Sequence, residues 1–402
     1  MIFHLILRRL VRRGTLTVIY PGGTTHTYGD GQPPPSAFTL RTSQAERRMI
    51  LDPSLAIGEL YLSGDIAITQ GTVYDMLDVF LSNLGSGQVH PMESAMRAFR
   101  TVRRRLDQFN PAGRARRNVA HHYNLGSAFY DLFLDTDRQY SCAYFPHGDE
   151  TLEQAQVAKK RHIAAKLRLD RPGLEVLDIG CGWGGMALTL ARDHGARVTG
   201  ITLSEEQLTT ARARAKAEGL DGQVTFELMD YRTWSRPVDR IVSVGMFEHV
   251  GLNHFRTFFR AVHDALRPDG IALVHAIGRS EGPGTTNPFL AKYIFPGGYS
   301  PALSEVVPAI EHAGLWLTDL EILRLHYAKT LRHWRTRFAA NRHQVAALHD
   351  ERFCRMFEFY LAGAELAFRC SGHMVWQAQL TRTVDALPLT RDYMGEAERT
   401  AP

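Results

Sequence analysis

Short apolar runs alternate with segments of helical periodicity through the middle of the chain. Uninterrupted runs of this length are typical of strands that are buried on both faces of a parallel sheet. Segments between them, such as 205–218 and 253–266, have the apolar spacing of helices, and the second ends in a predicted stop and turn over 267–270. This alternation predicts an α/β fold with a doubly wound sheet. The predicted strands are 176–179, 196–201, 224–228, 240–244 and 271–276.

A different pattern precedes this region. Alternating residues predict a hairpin over 16–28, and residues 58–67 predict a turn followed by a strand. Other elements predicted there are a strand at 37–42 and helices at 44–51 and 73–81. Together they make a small α+β module in which no catalytic constellation is visible.

The length of 402 residues exceeds what one ordinary core requires and predicts two domains. Residues 279–300 are rich in glycine and proline and predict a mobile loop, and residues 330–382 predict mostly helices. The predicted organisation is an N-terminal domain over 1–96, a basic helix or linker over 97–117 and a catalytic domain over 118–402.

The basic linker contains eight arginines and a single acidic residue, Asp107. A solvated helix is the commonest structure for such a charge run. The alternative is an electrostatic foothold on an anionic membrane, which is worth about 1 kcal/mol per basic residue. The formal net charge of +5 favours an anionic partner, either phospholipid or nucleic acid. Nucleic acid is the less favoured of the two because no RNA-binding motif accompanies the charge.

Cysteine usage and the chain's start bear on its compartment. The four cysteines include no C-x-x-C pair, so no metal site is predicted, and their low number suits a reducing cytosol. The apolar run at residues 1–7 precedes its arginines, which is the reverse of a signal peptide. No segment approaches the length of a transmembrane helix. If the substrate is a lipid, the protein would therefore bind the membrane surface from solution rather than reside in the membrane.

The most informative motif is Asp178-Ile-Gly-Cys-Gly-Trp-Gly184, which follows the first predicted strand of the sheet. Its glycines, Gly180, Gly182 and Gly184, remove side chains where a ligand would touch backbone. A helix over 186–194 would direct free N–H groups at that ligand. A dinucleotide fingerprint has no acid inside its glycine spacing. This order instead resembles the first motif of the class I methyltransferases, which bind S-adenosylmethionine; a chance glycine cluster is the alternative.

Polar residues follow the second and third predicted strands. Rossmann-type sites usually place an acid after the second strand for the ribose hydroxyls. Here the candidates are Thr202 and Gln207, although Ser204 and Gln207 also have the spacing of a capping box, and both roles are compatible. Asp230 and Tyr231 are candidates for the adenine amino group and ring. A plain turn aspartate is the alternative for Asp230.

Further polar residues follow the fourth and fifth strands. Glu248 and His249 come after the fourth strand, and His275 lies at the end of the fifth. Such folds place catalytic groups at these carboxyl ends. His249 is open to either a direct or a structural role.

Taken together, these motifs resemble the cyclopropane-fatty-acid synthase family. The resemblance covers about residues 118–380 and is looser over the first hundred residues, where two-domain members carry a small lipid-associating domain. The matching motifs are Asp178–Gly184, Gly245–Gly251, Lys292–Gly298, Tyr123–Gly126, Tyr140–Cys142, His326–Trp334 and Arg355–Leu361.

The resemblance implies a Rossmann-like class I methyltransferase domain with a helical C-terminal lid region, preceded by a small α+β N-terminal domain. It implies methyl transfer from S-adenosylmethionine to a cis double bond of a phospholipid acyl chain. Closure of a cyclopropane ring follows, with a bound bicarbonate as the base. One departure concerns Ala364, which stands where many relatives carry a cysteine, so no catalytic role belongs there.

The resemblance also implies roles for individual residues. The implied bicarbonate ligands are Cys142, Glu248, His275, the backbone of Ile277, and Tyr327. The implied cofactor contacts are Tyr140, Ser141, Gly180, Gly182, Thr202, Gln207, Asp230 and Tyr231, beside Asp178 and Gly184 of the glycine motif. Aromatic residues predicted for the acyl channel are Phe247, Phe289, Tyr293 and Phe295. Aromatic faces such as Tyr140, Phe247 and Tyr327 would stabilise a carbocation.

Three other functions remain open. A methyltransferase on the same scaffold would give a methyl-branched or methyl-alkene chain without ring closure. A non-catalytic lipid carrier conflicts with the complete cofactor and base sets, and a nucleic-acid methyltransferase conflicts with the aromatic-rich loop. The resemblance suggests a homodimer. The expected location is the cytoplasm, in peripheral contact with the inner face of an anionic membrane.

Overall fold

The described part of the chain covers most of the predicted elements. Apart from Arg104 and Gln108, the predicted basic linker 97–117 lies outside the described residues, and so do Tyr123 and Asn124. The computed structural model describes residues 2–84, 104, 108 and 126–400.

The helices and strands are numbered along these residues. The helices are α1 (Ile2–Leu10), α2 (Ser43–Leu51), α3 (Pro53–Ser63), α4 (Val73–Leu84), α5 (Ser127–Tyr130), α6 (Leu152–Lys166), α7 (Gly185–His194), α8 (Glu205–Ala217), α9 (Phe255–Ala265), α10 (Pro288–Tyr293), α11 (Leu303–His312), α12 (His326–Ala340), α13 (Arg342–Leu348), α14 (Glu351–Cys370) and α15 (Asp392–Thr400). The strands are β1 (Thr15–Ile19), β2 (Thr25–Gly29), β3 (Pro35–Leu40), β4 (Ile66–Gln70), β5 (Glu175–Ile179), β6 (Arg197–Thr202), β7 (Val224–Leu228), β8 (Val238–Val244), β9 (Leu266–Arg279), β10 (Trp316–Ile322) and β11 (His373–Thr381). No helix in this part of the chain is long and apolar enough to cross a membrane.

The chain forms two compact units that are each assembled from segments distant in sequence. The contiguous division expected from the sequence assigns residues 285–296 and 328–373 to the catalytic domain, whereas the structure groups them with the N-terminal residues. The first unit comprises Met1–Arg104, Thr285–Pro296 and Ala328–His373. The second comprises Arg105–Gly284, Gly297–Tyr327 and Met374–Pro402.

The first unit contains a four-stranded sheet in the order β2-β1-β3-β4. Strand β1 is antiparallel to β2, as the predicted hairpin requires, and parallel to β3. Leu16 and Val18 of β1 are fully buried, and Phe38 of β3 contacts Phe80 of α4. Helix α14 packs against α3 and α4. The apolar positions of the hairpin thus form one face of an α+β core.

The second unit contains a seven-stranded sheet in the order β10-β11-β9-β8-β5-β6-β7. Strand β5 pairs in parallel with β6 on one side and β8 on the other. The chain therefore changes direction across the sheet at the carboxyl end of β5, where such folds bind ligands. Successive side chains of β5 enter two different cores, since Val176 belongs to one cluster and Leu177 to the other. Burial on both faces explains the uninterrupted apolar runs, and the predicted α/β fold is confirmed.

The predicted turn at the start of residues 58–67 is wrong. Residues 58–63 continue α3, which ends at Ser63 and is capped by Gly64 in the left-handed conformation, with φ of 80°, whereas the predicted strand is confirmed by β4, which begins at Ile66. Pro53 stands at the first turn of this helix, a position that proline favours. Gly58 inside the helix suggested a turn, but it lies under the ring of Phe289.

The prediction of mostly helical structure over 330–382 is wrong at its end, where β11 forms. Its burial explains the error, because residues Met374 to Thr381 are buried on both faces and polar Gln377 and Gln379 are each only 1% exposed. Alternation of exposed and buried residues, the usual sign of a strand, is therefore missing.

Two loop predictions also need correction. The glycine- and proline-rich residues 279–300 contain helix α10. Residues 267–270 belong to β9 rather than to a turn after α9. Leu266 pairs with Val238 of β8 and Ile271 pairs with Arg240, so the four residues between them form an irregularity in the strand.

The close approach of Phe289 to Gly58 generates a stability prediction. A Cβ atom on Gly58 would lie 2.3 Å from Phe289 Cδ2. We expect Gly58→Ala to lower the stability of the protein by about 1–3 kcal/mol through overpacking, measured as a lower melting temperature by circular dichroism. The control is Gly363→Ala in α14, whose Cβ would meet Leu77 Cδ1 at an ordinary 3.9 Å. That variant gains about 0.5–1 kcal/mol from helix propensity. A Gly58→Ala protein that melts at or above the wild-type temperature would contradict the packing.

Candidate active site

The glycine motif forms a tight turn between β5 and α7. Gly180, Gly182 and Gly184 all have positive φ, at 83°, 54° and 87°, and helix α7 begins at Gly185. A Cβ atom on Gly182 would meet no other atom within 4 Å, whereas one on Gly184 would lie 2.7 Å from Phe226 Cζ. Gly182 therefore faces open space, and Gly184 allows the turn to pack on the sheet.

A cavity lies at the carboxyl end of β5, and most of the predicted cofactor residues line it. Gly184 does not, because it faces Phe226. The predicted residues in the lining are Tyr140, Ser141, Asp178, Gly180, Gly182, Thr202, Gln207, Asp230 and Tyr231. The sequence analysis missed other lining residues, among them Arg138, Gln139, Trp183 and Met246.

The two roles proposed for Gln207 are compatible in the structure. Its backbone N–H donates to Ser204 Oγ at 3.3 Å, so Ser204 caps α8. In a full capping box the Gln207 side chain would also accept from the Ser204 backbone N–H. Here Gln207 Oε1 instead accepts from Thr202 Oγ1 at 2.9 Å. This bond fixes the amide and leaves its NH2 group to donate to a hydroxyl in the cavity.

Asp230 and Tyr231 meet the cavity from the third strand end. The Asp230 carboxylate accepts from Arg232 Nε at 2.8 Å and from Arg232 Nη2 at 2.5 Å. The Asp230 side chain also caps the 3-10 turn Tyr231–Thr233, so the alternative of a turn aspartate is confirmed. A carboxylate oxygen accepts more than one hydrogen bond, and the adenine role stays a prediction. The Tyr231 ring packs edge-on against Phe258 of α9.

Buried charge lies directly behind the cavity. Lys159 of α6 is fully buried and donates to Ser141 Oγ at 2.9 Å and to Gln139 Oε1 at 2.7 Å. Burial lowers the pKa of Lys159 to about 8, against the opposing attraction of Asp135 and Asp137, and raises the pKa of Asp178 to about 7, against the opposing attraction of Lys159. The sequence analysis missed Lys159, whose signal is a lysine on the buried face of a helix.

The Glu248 carboxyl group connects two strand ends. It lies in the 3-10 turn Phe247–His249 after β8, and its Oε1 accepts from the Ile277 backbone N–H of β9 at 2.7 Å. Its Oε2 is buried and has no hydrogen-bond partner among the described residues. Burial raises the pKa of Glu248 to about 7, although the bond from Ile277 opposes the shift. An unsatisfied acceptor at a strand end is what a hydrogen-bonding ligand requires.

The other predicted base-site residues are also buried in the second unit. His275 of β9 is 2% exposed, and its Nδ1 lies 3.1 Å from Gln377 Nε2. Cys142 and Tyr327 are 1% and 8% exposed. Neighbouring His249 lines the cavity, and burial lowers its pKa to about 4, so its ring is neutral. The structure thus directly joins Glu248 to Ile277, two of the five predicted ligands.

Phe247 packs in the aromatic core of the second unit. Its ring is fully buried and contacts Phe255, Phe258 and Phe259 of α9 and Trp376 of β11. The structure thus gives this ring a packing role, and its role in an acyl channel stays a prediction.

The remaining predicted channel residues lie in the first unit. Phe289 contacts Phe359 of α14, and Phe295 contacts Tyr360 of the same helix. Tyr293 donates to Glu59 Oε1 at 2.9 Å. Their role in an acyl channel stays a prediction.

The family follows from comparison with known proteins. A family model described as mycolic acid cyclopropane synthetase matches residues 111–378, which is more than half of the chain. The chain belongs to this family. A second model, a domain of unknown function, matches residues 2–87. The protein is accordingly an S-adenosylmethionine-dependent enzyme with a class I methyltransferase fold, as the resemblance predicted.

Individual relatives support this placement. The chain is 37% identical over 353 residues to the cyclopropane-fatty-acyl-phospholipid synthase of Escherichia coli K12, covering 87% of this chain and 89% of that protein. It is 45% identical over 258 residues to a probable fatty acid methyltransferase of Pseudomonas putida, covering 62% of this chain but only 65% of that relative's length. The structure of mycolic acid cyclopropane synthase CmaA1 complexed with SAH and CTAB matches with a TM-score of 0.63 at 34% identity, covering 68% of this chain and 99% of that one.

The cavity fits S-adenosylmethionine chemically. This cofactor carries an ammonium group, ribose hydroxyls and an adenine ring. Asp178 Oδ2 is a buried acceptor with no hydrogen-bond partner in the described part of the chain, and Gly182 leaves room for a ligand to approach the backbone. Gln207 and Tyr231 line the same cavity and provide a hydrogen-bonding amide and an aromatic ring.

The raised pKa of Glu248 predicts a pH-dependent stability. The folded state holds the Glu248 proton up to about pH 7, whereas the unfolded state releases it near the ordinary value of 4.5. Burial of Glu248 therefore lowers the free energy of unfolding by nothing below pH 4.5, where both states hold the proton. The loss of stability grows as pH rises from 4.5 to about 7, and it reaches about 3 kcal/mol above pH 7. We expect Glu248→Gln to gain melting temperature over wild type at pH 8.5 and little at pH 4.5.

The matched control is Glu311→Gln, at an exposed position on α11. We expect this surface substitution to leave the melting temperature close to wild type at both pH values. A Glu248→Gln difference that is equally flat across this range would show that Glu248 ionises normally.

Proposed function

We propose that this protein transfers a methylene unit to the cis double bond of an unsaturated phospholipid acyl chain and closes a cyclopropane ring. The observation that carries the proposal is the buried Glu248 carboxyl group, which is fixed by Ile277 and has one oxygen without a partner among the described residues. Glu248 belongs to the residue set that resembles the bicarbonate ligands of the family. The E. coli relative, named as a phospholipid synthase, matches over most of this chain and supports the lipid substrate.

In this proposal S-adenosylmethionine supplies an electrophilic methyl group and bicarbonate supplies a small base for the proton lost on ring closure. Glu248 Oε2 would accept the O–H of bicarbonate, and His275 would donate to one of its oxygens. Cys142, the Ile277 backbone and Tyr327 would complete the site. The low exposure of these residues excludes water, which would otherwise trap a carbocation formed on the substrate.

A second candidate function is methyl transfer without ring closure. The Pseudomonas putida relative is named as a probable fatty acid methyltransferase and has the higher identity, which favours this alternative. Formation of a methyl-alkene also releases a proton, so the same base site would serve both reactions. The product therefore decides between the two.

Helix α1 supports the peripheral membrane contact that we propose for the lipid substrate. Its Ile2 and Leu5 are 64% and 52% exposed, while Phe3 and Leu7 face the core. Arg8 and Arg9 at its end are exposed, as are the following Arg12 and Arg13. Exposed apolar residues beside arginines are typical of a helix that lies in the interface of an anionic membrane. The inner face of a cytoplasmic membrane remains the proposed location.

A homodimer is also part of this proposal and rests on the family resemblance. A monomeric mass in solution at micromolar concentration would remove it.

The product assay tests the proposed reaction. Purified protein is incubated with S-adenosylmethionine and liposomes of a cis-unsaturated phospholipid, with and without bicarbonate. The fatty esters are analysed by gas chromatography and mass spectrometry after mild hydrogenation. We expect an ester one methylene unit heavier that resists hydrogenation and depends on bicarbonate. An isomer that takes up hydrogen would support the alternative, and no mass gain on any lipid would contradict both.

Glu248→Gln is the informative variant in this assay. Its amide oxygen would still accept from Ile277, so its NH2 group would face the bicarbonate hydroxyl where an acceptor is required. We expect a loss of at least about 100-fold in turnover, comparable to removing a group that stabilises a transition state. Glu311→Gln should retain wild-type turnover.

Vesicle binding tests the role of α1. Reversing two charges by Arg8→Glu and Arg9→Glu removes about 2 kcal/mol of attraction and adds repulsion, so binding to anionic vesicles should weaken by at least about 30-fold, measured by sedimentation at low salt. The control is the pair Arg197→Glu and Arg256→Glu, two exposed positions that give the same change in net charge. An equal loss in both double variants would assign binding to net charge rather than to α1.

A further inference from the structure

His275 lies next to a second buried polar group that the reaction scheme does not use. It stands opposite Val244 in the pairing of β8 with β9, and β11 is the other neighbour of β9. Gln377 of β11 is 1% exposed and places its amide nitrogen 3.1 Å from His275 Nδ1. A buried imidazole and a buried amide therefore share a hydrogen bond whose direction sets the position of the ring proton.

The neighbours of Gln377 decide that direction. The Lys166 Nζ lies 2.8 Å from Gln377 Oε1, and an ammonium group only donates hydrogen bonds. The amide oxygen must therefore face Lys166, and the NH2 group faces His275. Since the NH2 group only donates, His275 Nδ1 accepts, and a neutral ring carries its proton on Nε2.

Burial lowers the pKa of Lys166, and its ion pair with Glu321 opposes this shift and favours the ammonium form that this argument needs. Its ammonium pairs with Glu321, which also accepts from His162 Nε2 at 2.6 Å. Burial opposes ionisation of Glu321, but the bonds from His162 and the charge of Lys166 together lower its pKa to about 2. His162 Nδ1 in turn bonds Glu398 of α15 at 2.5 Å. The orientation of Gln377 is thus anchored by an ion-paired chain that reaches the C-terminal helix.

The groups around His275 keep its ring neutral. Burial lowers the pKa of His275 well below its ordinary value, and the charges of Lys159, Lys166 and His162 act in the same direction against the opposing Glu321. A neutral ring has one donor and one acceptor nitrogen, so fixing one of them fixes the other.

We propose that Gln377 is a positioning residue that holds His275 in the Nε2–H tautomer, so that the ring presents a donor to an oxygen anion. The role towards the anion rests on the proposed bicarbonate site, whereas the tautomer itself does not. With the opposite tautomer, His275 would present a lone pair to the anion and repel it.

Gln379 provides a matched control on the same strand. It is also 1% exposed, and its Nε2 donates to the Lys166 backbone oxygen and to Tyr393 Oη, both at 2.6 Å. It therefore shares the burial and the helix α6 contact of Gln377 but bonds groups other than His275.

The first measurement is the His275 tautomer, read from long-range proton–nitrogen correlation spectra of protein labelled with nitrogen-15 histidine. The His275 signal is identified by its loss in His275→Asn. We expect the Nε2–H pattern in wild type and in Gln379→Glu. In Gln377→Glu a carboxylate faces the ring and only accepts, so the proton should appear on Nδ1. Gln377→Met, which removes the hydrogen bond without adding charge, should give a mixture of tautomers.

The second measurement is turnover as a function of bicarbonate concentration. We expect Gln377→Glu to lose at least tenfold in turnover and to require more bicarbonate, with Gln377→Met between it and wild type and Gln379→Glu close to wild type. An Nδ1–H tautomer in wild type would overturn the proposal. So would a changed tautomer in Gln377→Glu with unchanged turnover and bicarbonate dependence. Failure of the proposed function is seen separately, as wild-type product formation that ignores bicarbonate.

Discussion

The hydrogen bond from the Ile277 backbone to Glu248 is the interaction on which the candidate base site depends. A carboxyl group without this bond would be buried with both oxygens unsatisfied, at a cost that folded proteins rarely bear. The bond requires β8 and β9 to end side by side, so the sheet register fixes the side chain. Phe247 anchors the same turn in the aromatic core, and Tyr299 donates its backbone N–H to the Glu248 carbonyl at 2.9 Å. Backbone and core therefore hold Glu248 from three sides while Oε2 remains for a ligand.

The cofactor cavity follows the same principle. Burial raises the pKa of Asp178 and lowers the pKa of Lys159, and the opposite charges beside each group oppose its shift only in part. Incomplete compensation of buried charge is typical of functional sites rather than of cores. The cost is carried by the two apolar clusters on either side of the sheet, into which alternate residues of β5 project. Strand β5 thus contributes apolar side chains to both cores and also carries Asp178, whose buried carboxyl group lowers the stability of the fold.

The predictable parts of this protein are those that a local pattern specifies. The strands before the glycine motif, the turn itself and the cap at Ser204 all depend on residues within a few positions of one another. Gln377 had no such signal. Gln377 is 211 residues from Lys166 and 102 from His275, and its strand is buried on both faces, so neither alternation nor proximity marks it. Asp178 was found because it begins the glycine motif at the end of β5, and Glu248 because it follows β8, but the raised pKa of each depends on burial that only the tertiary structure creates.

The assembly of the first unit explains why a contiguous domain boundary misses part of the structure. Helix α10 supplies Phe289 to cover Gly58 of α3, and Lys292 forms an ion pair with Glu59 at 2.6 Å. Helix α14 supplies Glu358, which accepts from Tyr61 at 3.1 Å. Helix α3 therefore has polar and apolar partners more than two hundred residues away in sequence, in addition to Arg48 of neighbouring α2, which also pairs with Glu59. The loop that the sequence associates with an acyl channel is also part of the core of the N-terminal unit. Phe289 and Tyr293 are consequently held by packing on Gly58 and by a hydrogen bond to Glu59 within a single compact unit.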